Sequence, residues 1–464
     1  MTQKRNRLFF GAVLCVAQLL LASCSGRSTG AASIPATADT QSAAIAPAGE
    51  ASEPAPTADT SSRSGNAAAG IPFPSATDPD HFYAQPSPFP KVARGTILAS
   101  RAIAYAPNGV PSSNQAWQLK FVSQDIYGRP IAAVATVVKP TQPATGPEPL
   151  FVEAFPEDAL GPQCAPSHWA TGSTADSNEV TEATLPSDAL AAGYTLMLPD
   201  IEGPFSLYAV GRQEGYIVLD AMTATLKFGP LGLNAKTPIA ENGYSGGAHA
   251  VSWAAALQPT YAPSLNLVAT ASGGTPADIL NIMENIDGTS ALSVAANAAF
   301  FDIIYMSAIG INRGYPSFLT PILNTAGVAA AKAMENGCIG KNSDGSAGPT
   351  GHFSQYVSVT NLYSNPHVTK NTALDSEPQP GVYPKSNVFV YQSVTDELIP
   401  VAGVDKLVSG WCADGSPIEY YRAVNGGDHV TMETQTEPIV LAYISERLKG
   451  LPLTLPLGQT TTCN

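Results

Sequence analysis

Within Gly243-Tyr244-Ser245-Gly246-Gly247 a serine sits where a strand-like run meets a helix-like one. Residues 238–242 can end as a strand, and residues 248–257 are rich in alanine with no breaker before Pro259. A serine on so tight a strand-to-helix turn is held in a strained backbone conformation. Glycines flank it because a Cβ there would collide with the adjoining strand and helix. Backbone N–H groups at the helix N-terminus then face the charge that develops on an attacked carbonyl oxygen. Ser245 is therefore the candidate nucleophile, against the plainer reading of a structural turn serine. The same spacing recurs in Gly26-Arg27-Ser28-Thr29-Gly30, but that match lies in a Ser/Ala/Thr tract with neither a strand nor a helix around it.

A serine needs a base within hydrogen-bond reach and a third group to orient that base. On a strand-to-helix elbow these partners follow the serine in the order acid, then histidine. Of six histidines, His81 and His168 precede Ser245. His249 lies four residues on, along the same helix, and reads as a packing or surface residue. His352 and His367 fall in loop-rich sequence. His429 follows a strand candidate (418–423) through Gly426-Gly427 and precedes the last helix, so its loop can reach the serine. For the acid, Asp396 follows the strand candidate 388–392 and is preferred. Asp428, adjacent to the histidine, and Glu397 are the rivals.

These residues need a scaffold. Residues 115–123 and 131–138, joined by Asp125-Ile126-Tyr127-Gly128-Arg129-Pro130, read as an antiparallel hairpin. Further strand candidates are 150–155, 194–198, 267–271, 388–392 and 418–423, with helices over 213–228, after Ser245 and over 439–448 before Gly450. A hairpin followed by alternating strands and helices implies an α/β fold, a mostly parallel sheet with an antiparallel edge. One segment, 275–350, is helical throughout, with candidates at 277–286, 291–309 and 322–334. Helices without intervening strands cannot all be crossovers of one sheet, so this segment reads as a helical insertion over the sheet's carboxyl edge.

The chain has 464 residues, a formal net charge of −14 and only 13% charged residues. No Lys/Arg cluster is present, which argues against a nucleic-acid partner. Lys4, Arg5 and Arg7 precede a 15-residue apolar run, too short to span a bilayer and flanked like an export signal. Leu21-Ala22-Ser23-Cys24 closes it as a lipobox does, which would remove residues 1–23 and acylate Cys24 as a membrane anchor; a plain signal peptide is the alternative. Residues 24–70, poor in aromatic and charged residues, read as a flexible tether. Cys164, Cys338, Cys412 and Cys463 remain, an even set that suggests two disulfides with three pairings open. No C-x-x-C spacing exists, so no metal is expected.

With these residues in place, the chain resembles the secretory lipase family. The likeness is carried by Gly95-Thr96-Ile97-Leu98, the hairpin turn, Cys164-Ala165-Pro166-Ser167 and Asp200-Ile201-Glu202-Gly203-Pro204 before Leu219-Asp220. It continues in residues 396–400, followed by Cys412, and covers about residues 90–450. The resemblance implies an α/β-hydrolase core (71–274 and 351–464) with a helical cap (275–350). It also implies Cys164–Cys338 and Cys412–Cys463 disulfides, and an oxyanion hole built from Asp158 and the Gly246 N–H. The implied activity is hydrolysis of carboxylic esters, triacylglycerol foremost, by a monomer that needs no cofactor. The lipobox and tether depart from the fungal members. An esterase of short soluble esters, an acyltransferase and a non-enzymatic surface lipoprotein are the competing readings.

Overall fold

A computed structural model describes residues 70–145, 148–175, 182–451 and 460–463. The export signal, Cys24 and the tether up to residue 69 lie outside the described residues. The strands are β1 (Ile97–Ala104), β2 (Gln115–Gln124), β3 (Pro130–Lys139), β4 (Leu150–Ala154), β5 (Thr195–Pro199), β6 (Ile239–Tyr244), β7 (Leu267–Gly273), β8 (Asn387–Ser393), β9 (Ile418–Ala423) and β10 (Thr460–Cys463). They form one sheet in the order β1-β2-β3-β5-β4-β6-β7-β8-β9-β10. Pairing is parallel from β5 through β9 and antiparallel at both margins. The β2–β3 hairpin closes as its turn chemistry requires: Asp125 Oδ1 accepts the Tyr127 and Arg129 N–H groups at 2.9 Å each, and Gly128 takes φ 72°.

Alternate residues of the central strands feed two cores, as a period of two dictates. Val152 and Met197 face the helices α2 (Gly211–Lys227) and α3 (Gly246–Tyr261), packing on Ile217 and Trp253. Phe151, Leu196 and Phe389 face the opposite way, toward α1 (Thr184–Ala191) and α9 (His429–Leu448), among Leu185 and Tyr443. Helices cover both faces, so the fold is an α/β-hydrolase-type layered sheet. The connections leaving β4 and β6 run to opposite sides, to β5 and to β7. The crevice between their carboxyl ends is thus a topological switch point, where ligands bind in open α/β sheets.

The chain leaves the sheet at Gly273 and re-enters at Asn387. Between them lie α4 (Ile279–Ile286), α5 (Ala291–Gly314), α6 (Thr325–Met334) and α7 (Pro366–Asp375). The strandless stretch therefore extends beyond residue 350. Residues 351–386 lack a long apolar run, and α7 is announced only by Asn365, whose side chain accepts the His367 N–H at 2.9 Å, and by Pro366 behind it. A third core, with Phe301, Tyr305 and Phe353, fills this insertion and merges with Val404 and Trp411 beneath α8 (Val401–Ala413).

Two devices tie the insertion to the sheet. Cys338 of the insertion is bonded to Cys164, across a sequence separation of 174; the second disulfide, Cys412–Cys463 across 51, lies outside the insertion and joins α8 to β10. Arg313, buried on α5, donates to five backbone carbonyls, those of Phe73, Leu160, Phe205, Ser206 and Glu335, at 2.7–3.0 Å. Burial lowers its pKa to about 10, so it stays charged at neutral pH and the carbonyl ring replaces its hydration.

Several local expectations need correction. Helix α3 runs through Pro259 to Tyr261 because the proline costs one hydrogen bond near a helix end. Helix α9 starts at His429, ten residues before the expected 439, and contains Pro438. Its start is set by Asp428, whose carboxylate accepts the Thr431 N–H at 2.8 Å. Strands β1 and β10 were not anticipated. The first, ILASRAIA, carries small and apolar residues on an edge where none is fully buried, and the second is a four-residue edge.

Candidate active site

The strand β6 ends at Tyr244, and Ser245 takes φ 51°, ψ −120° before α3 begins. A non-glycine residue at positive φ is strained and persists only where its surroundings enforce it. Here the Ser245 N–H donates to the Gly273 carbonyl at 2.9 Å, and its own carbonyl accepts the His249 N–H at 3.1 Å. The flanking glycines are sterically required. A Cβ on Gly243 would overlap the Gly247 carbonyl, and one on Gly247 would overlap the Ala154 carbonyl.

The three separate chain segments singled out in the sequence converge. His429 Nε2 lies 3.0 Å from Ser245 Oγ, and His429 Nδ1 lies 2.8 Å from Asp396 Oδ2. Asp396 is itself held: Oδ1 accepts the Leu398 and Ile399 N–H groups at 3.0 and 2.8 Å, and Oδ2 accepts the Gln392 amide at 2.9 Å. With the Asp396 carboxylate accepting from Nδ1–H, Nε2 is left to accept the serine proton. Burial alone would lower the His429 pKa, but the charge and hydrogen bond of Asp396 override it, and the net shift is upward from 6.5.

The rival acids serve the histidine's backbone and helix. Glu397 Oε2 accepts the His429 N–H at 3.1 Å, and Asp428 caps α9. Tyr244, quoted in the motif but given no task there, donates its hydroxyl to the His429 carbonyl at 2.6 Å. Its ring packs 5.0 Å from the imidazole. Such a role leaves no mark in local spacing, since 185 residues separate the pair.

His249 is neither a surface residue nor simple packing. It is buried, with Nδ1 3.0 Å from Glu214 Oε2 and Nε2 donating to the Asp375 carbonyl at 3.1 Å. Burial opposes its charge, yet Glu214 raises its pKa to about 9, so it is an imidazolium at neutral pH. It thereby joins α3, α2 and the insertion behind the nucleophile.

Asp158 stands in the loop after β4 at φ 43°, buried and facing the start of α3. A Cβ on Gly246 would come 2.7 Å from Asp158 Oδ1, which measures how closely the two approach. The next residues dock onto the insertion: Leu160 N–H donates to the Gly337 carbonyl at 2.9 Å, and Ala159 pairs with Cys338. Ser245, Gly246, Asp158 and His429 border a partly open cleft. Its opposite wall is apolar and comes from the insertion: Ile279, Ile282, Met283, Phe300, Ile303 and Ile304. A serine hydrogen-bonded to a histidine at one side and apolar surface at the other suits an acyl compound with a greasy tail.

Known proteins share this arrangement of chain. A sequence profile described as "Secretory lipase" matches residues 172–455. Lipase 4 of Candida albicans is 33% identical over 407 residues, 82% of this chain and 84% of that protein. A secreted triacylglycerol lipase of Malassezia furfur is 32% identical over 352 residues, 74% of this chain and 69% of that protein. Among solved structures, Candida antarctica lipase A in its closed state superposes with a TM-score of 0.71 at 26% identity. That match covers 81% of this chain and 87% of the lipase.

Proposed function

This chain belongs to the secretory lipase family, and on that premise we propose that it cleaves triacylglycerols through an acyl-serine formed on Ser245. Its reaction class, carboxylic-ester hydrolysis, is that of the lipases it matches. The observation that carries the finer reading is the unbroken chain of hydrogen bonds Ser245–His429–Asp396, at 3.0 and 2.8 Å, at the border of an apolar cleft.

Ser245 Oγ attacks the ester carbonyl while His429 Nε2 takes its proton. Asp396 keeps the imidazole oriented and stabilises its charged form. The carbonyl oxygen becomes an oxyanion beside the Gly246 N–H at the start of α3, with Asp158 as the second member of the hole. His429 then protonates the leaving alcohol. Water, activated by the same histidine, releases the fatty acid and restores the serine hydroxyl. The insertion, residues 274–386, acts as a cap whose underside receives the acyl chain. The enzyme is an exported monomer held to the cell envelope through an acylated Cys24.

Hydrolysis of esters from short soluble ones to emulsified long-chain triacylglycerol, run beside Ser245→Ala, tests this reading. Ser245-dependent turnover of the emulsion is expected. Ser245-dependent turnover confined to short esters would make the protein an esterase, and turnover that survives Ser245→Ala would remove the mechanism.

A further inference from the structure

Helix α5 divides into two unlike halves. It is long and apolar enough to cross a membrane by composition, yet half of its most apolar stretch is buried inside the protein. The buried half, from Phe301 onward, owes its apolarity to the insertion's core. Among the first ten residues only Ser293 and Ala296 are buried, and the outward side has no such reason. No charged residue occurs from Ala291 through Phe301, and Ala291, Leu292, Val294, Ala295, Ala298 and Ala299 are all exposed. Leu292 is 47% and Val294 58% exposed, among the few large apolar side chains so placed in the described residues. At 100° per residue these six positions share one half of the helix surface.

That face leads to the cleft. The stripe Leu292, Ala295, Ala299 and Ile303 advances by three or four residues at a time, so its members lie in line. Ile303 lines the cleft wall. Phe300, one residue beyond Ala299, lines the same wall and lies edge-on to the His429 ring at 6.3 Å. Across the cleft, Val430 is 56% exposed and also lines it. An apolar, uncharged surface continuous with the entrance of an ester-binding cleft matches one partner, the surface of a neutral lipid phase.

We propose that the exposed face of residues 291–299 is the surface by which this enzyme adsorbs to uncharged lipid, laying the cleft mouth against its substrate. The inference rests on the lipase reading above. Adsorption through this face is driven by apolar burial. With a net charge of −14 on the chain and none on the face, it needs no anionic headgroup and gains nothing from low salt.

The test uses the full chain carrying Ser245→Ala, so that binding is read without hydrolysis, and triolein droplets as the probe. Leu292→Glu/Val294→Glu is expected to lower partitioning onto droplets about tenfold or more, because two half-exposed apolar anchors are replaced by charges. Leu292→Lys/Val294→Lys is expected to do the same, which separates lost burial from repulsion. With Ser245 restored, both double variants should keep the parent's turnover of a short soluble ester and lose turnover of the emulsion. Partitioning equal to the parent's would overturn the proposal. So would sedimentation showing a dimeric parent and monomeric variants, since the face would then bind a second copy. If the parent adsorbs through this face yet never hydrolyses triolein, the substrate reading fails and the adsorption surface stands.

Discussion

Replacing Gly246 by alanine probes the proposed oxyanion hole without deleting any donor. Gly246 does not use a positive φ, so alanine fits its backbone, and the peptide N–H remains. The added Cβ would sit 2.7 Å from Asp158 Oδ1 and 3.3 Å from the Pro156 Cα and Cβ. Ordinary carbon–oxygen contacts begin near about 3.3 Å, so the Asp158 carboxyl must retreat by roughly 0.6 Å. Asp158 already occupies a strained φ of 43°, and the following Ala159 N–H is fixed by Glu202 at 3.0 Å, so the loop cannot simply slide away. Displacing one group of an oxyanion hole by part of an ångström costs about 10- to 100-fold in kcat, below the roughly 100- to 1000-fold of outright deletion. Overpacking costs about 1–3 kcal/mol in stability. The assay is kcat and KM on a short soluble ester, with thermal unfolding as the folding check and an Asp158→Ala double-mutant cycle as the discriminator. In the Asp158→Ala background, Gly246→Ala should cost little further, because the atom it strikes is gone. Fully additive losses, or a Gly246→Ala enzyme with the parent's kcat, would refute the assignment of Asp158 to the hole.

Three further outcomes follow from the same geometry. Asp396→Asn should lower kcat by about 10⁴-fold. It should also move the acid limb of the kcat/KM profile to lower pH, because burial then acts on His429 without the opposing carboxylate; an unmoved limb would contradict the pairing. Stability should fall as pH rises from about 4 to 8. Burial raises Asp220 to about 6, Asp375 and Glu377 to about 7 and Glu241 to about 8, so the folded state holds protons that the unfolded chain releases. Thermal unfolding across that range checks the sign. Removing the Cys164–Cys338 bond with Cys338→Ser should cost up to about 5 kcal/mol by loop entropy. It should also reduce kcat, because the bond anchors the loop that follows Asp158; denaturant unfolding and ester turnover would separate the two effects.

The candidate catalytic residues were legible because their constraints are local. A serine at an elbow needs Gly243 and Gly247, and strands such as 388–392 announce themselves by apolar runs. Asp396 and His429 could be placed because each follows a strand candidate. Elements shaped by distant contacts were not legible. Strand β10 exists through pairing with β9 and the Cys412–Cys463 bond, while Thr460–Cys463 has little signal of its own. The early start of α9 depends on one capping carboxylate, Asp428, which in the sequence reads only as a rival for the triad acid. His249 looked ordinary because its partners, Glu214 and Asp375, lie 35 and 126 residues away. The insertion's true length was hidden by the polar segment 351–386, whose helix α7 is fixed by packing against α4 more than by its own pattern.

The most direct test of the acyl-serine mechanism is covalent labelling with a serine-reactive alkyl phosphonate, followed by mass mapping of the modified peptide. The mechanism requires one adduct per chain on Ser245, loss of ester turnover in proportion to labelling, and no adduct in Ser245→Ala or at an acid pH that protonates His429. An adduct on another residue, or full turnover in protein already labelled at Ser245, would contradict it.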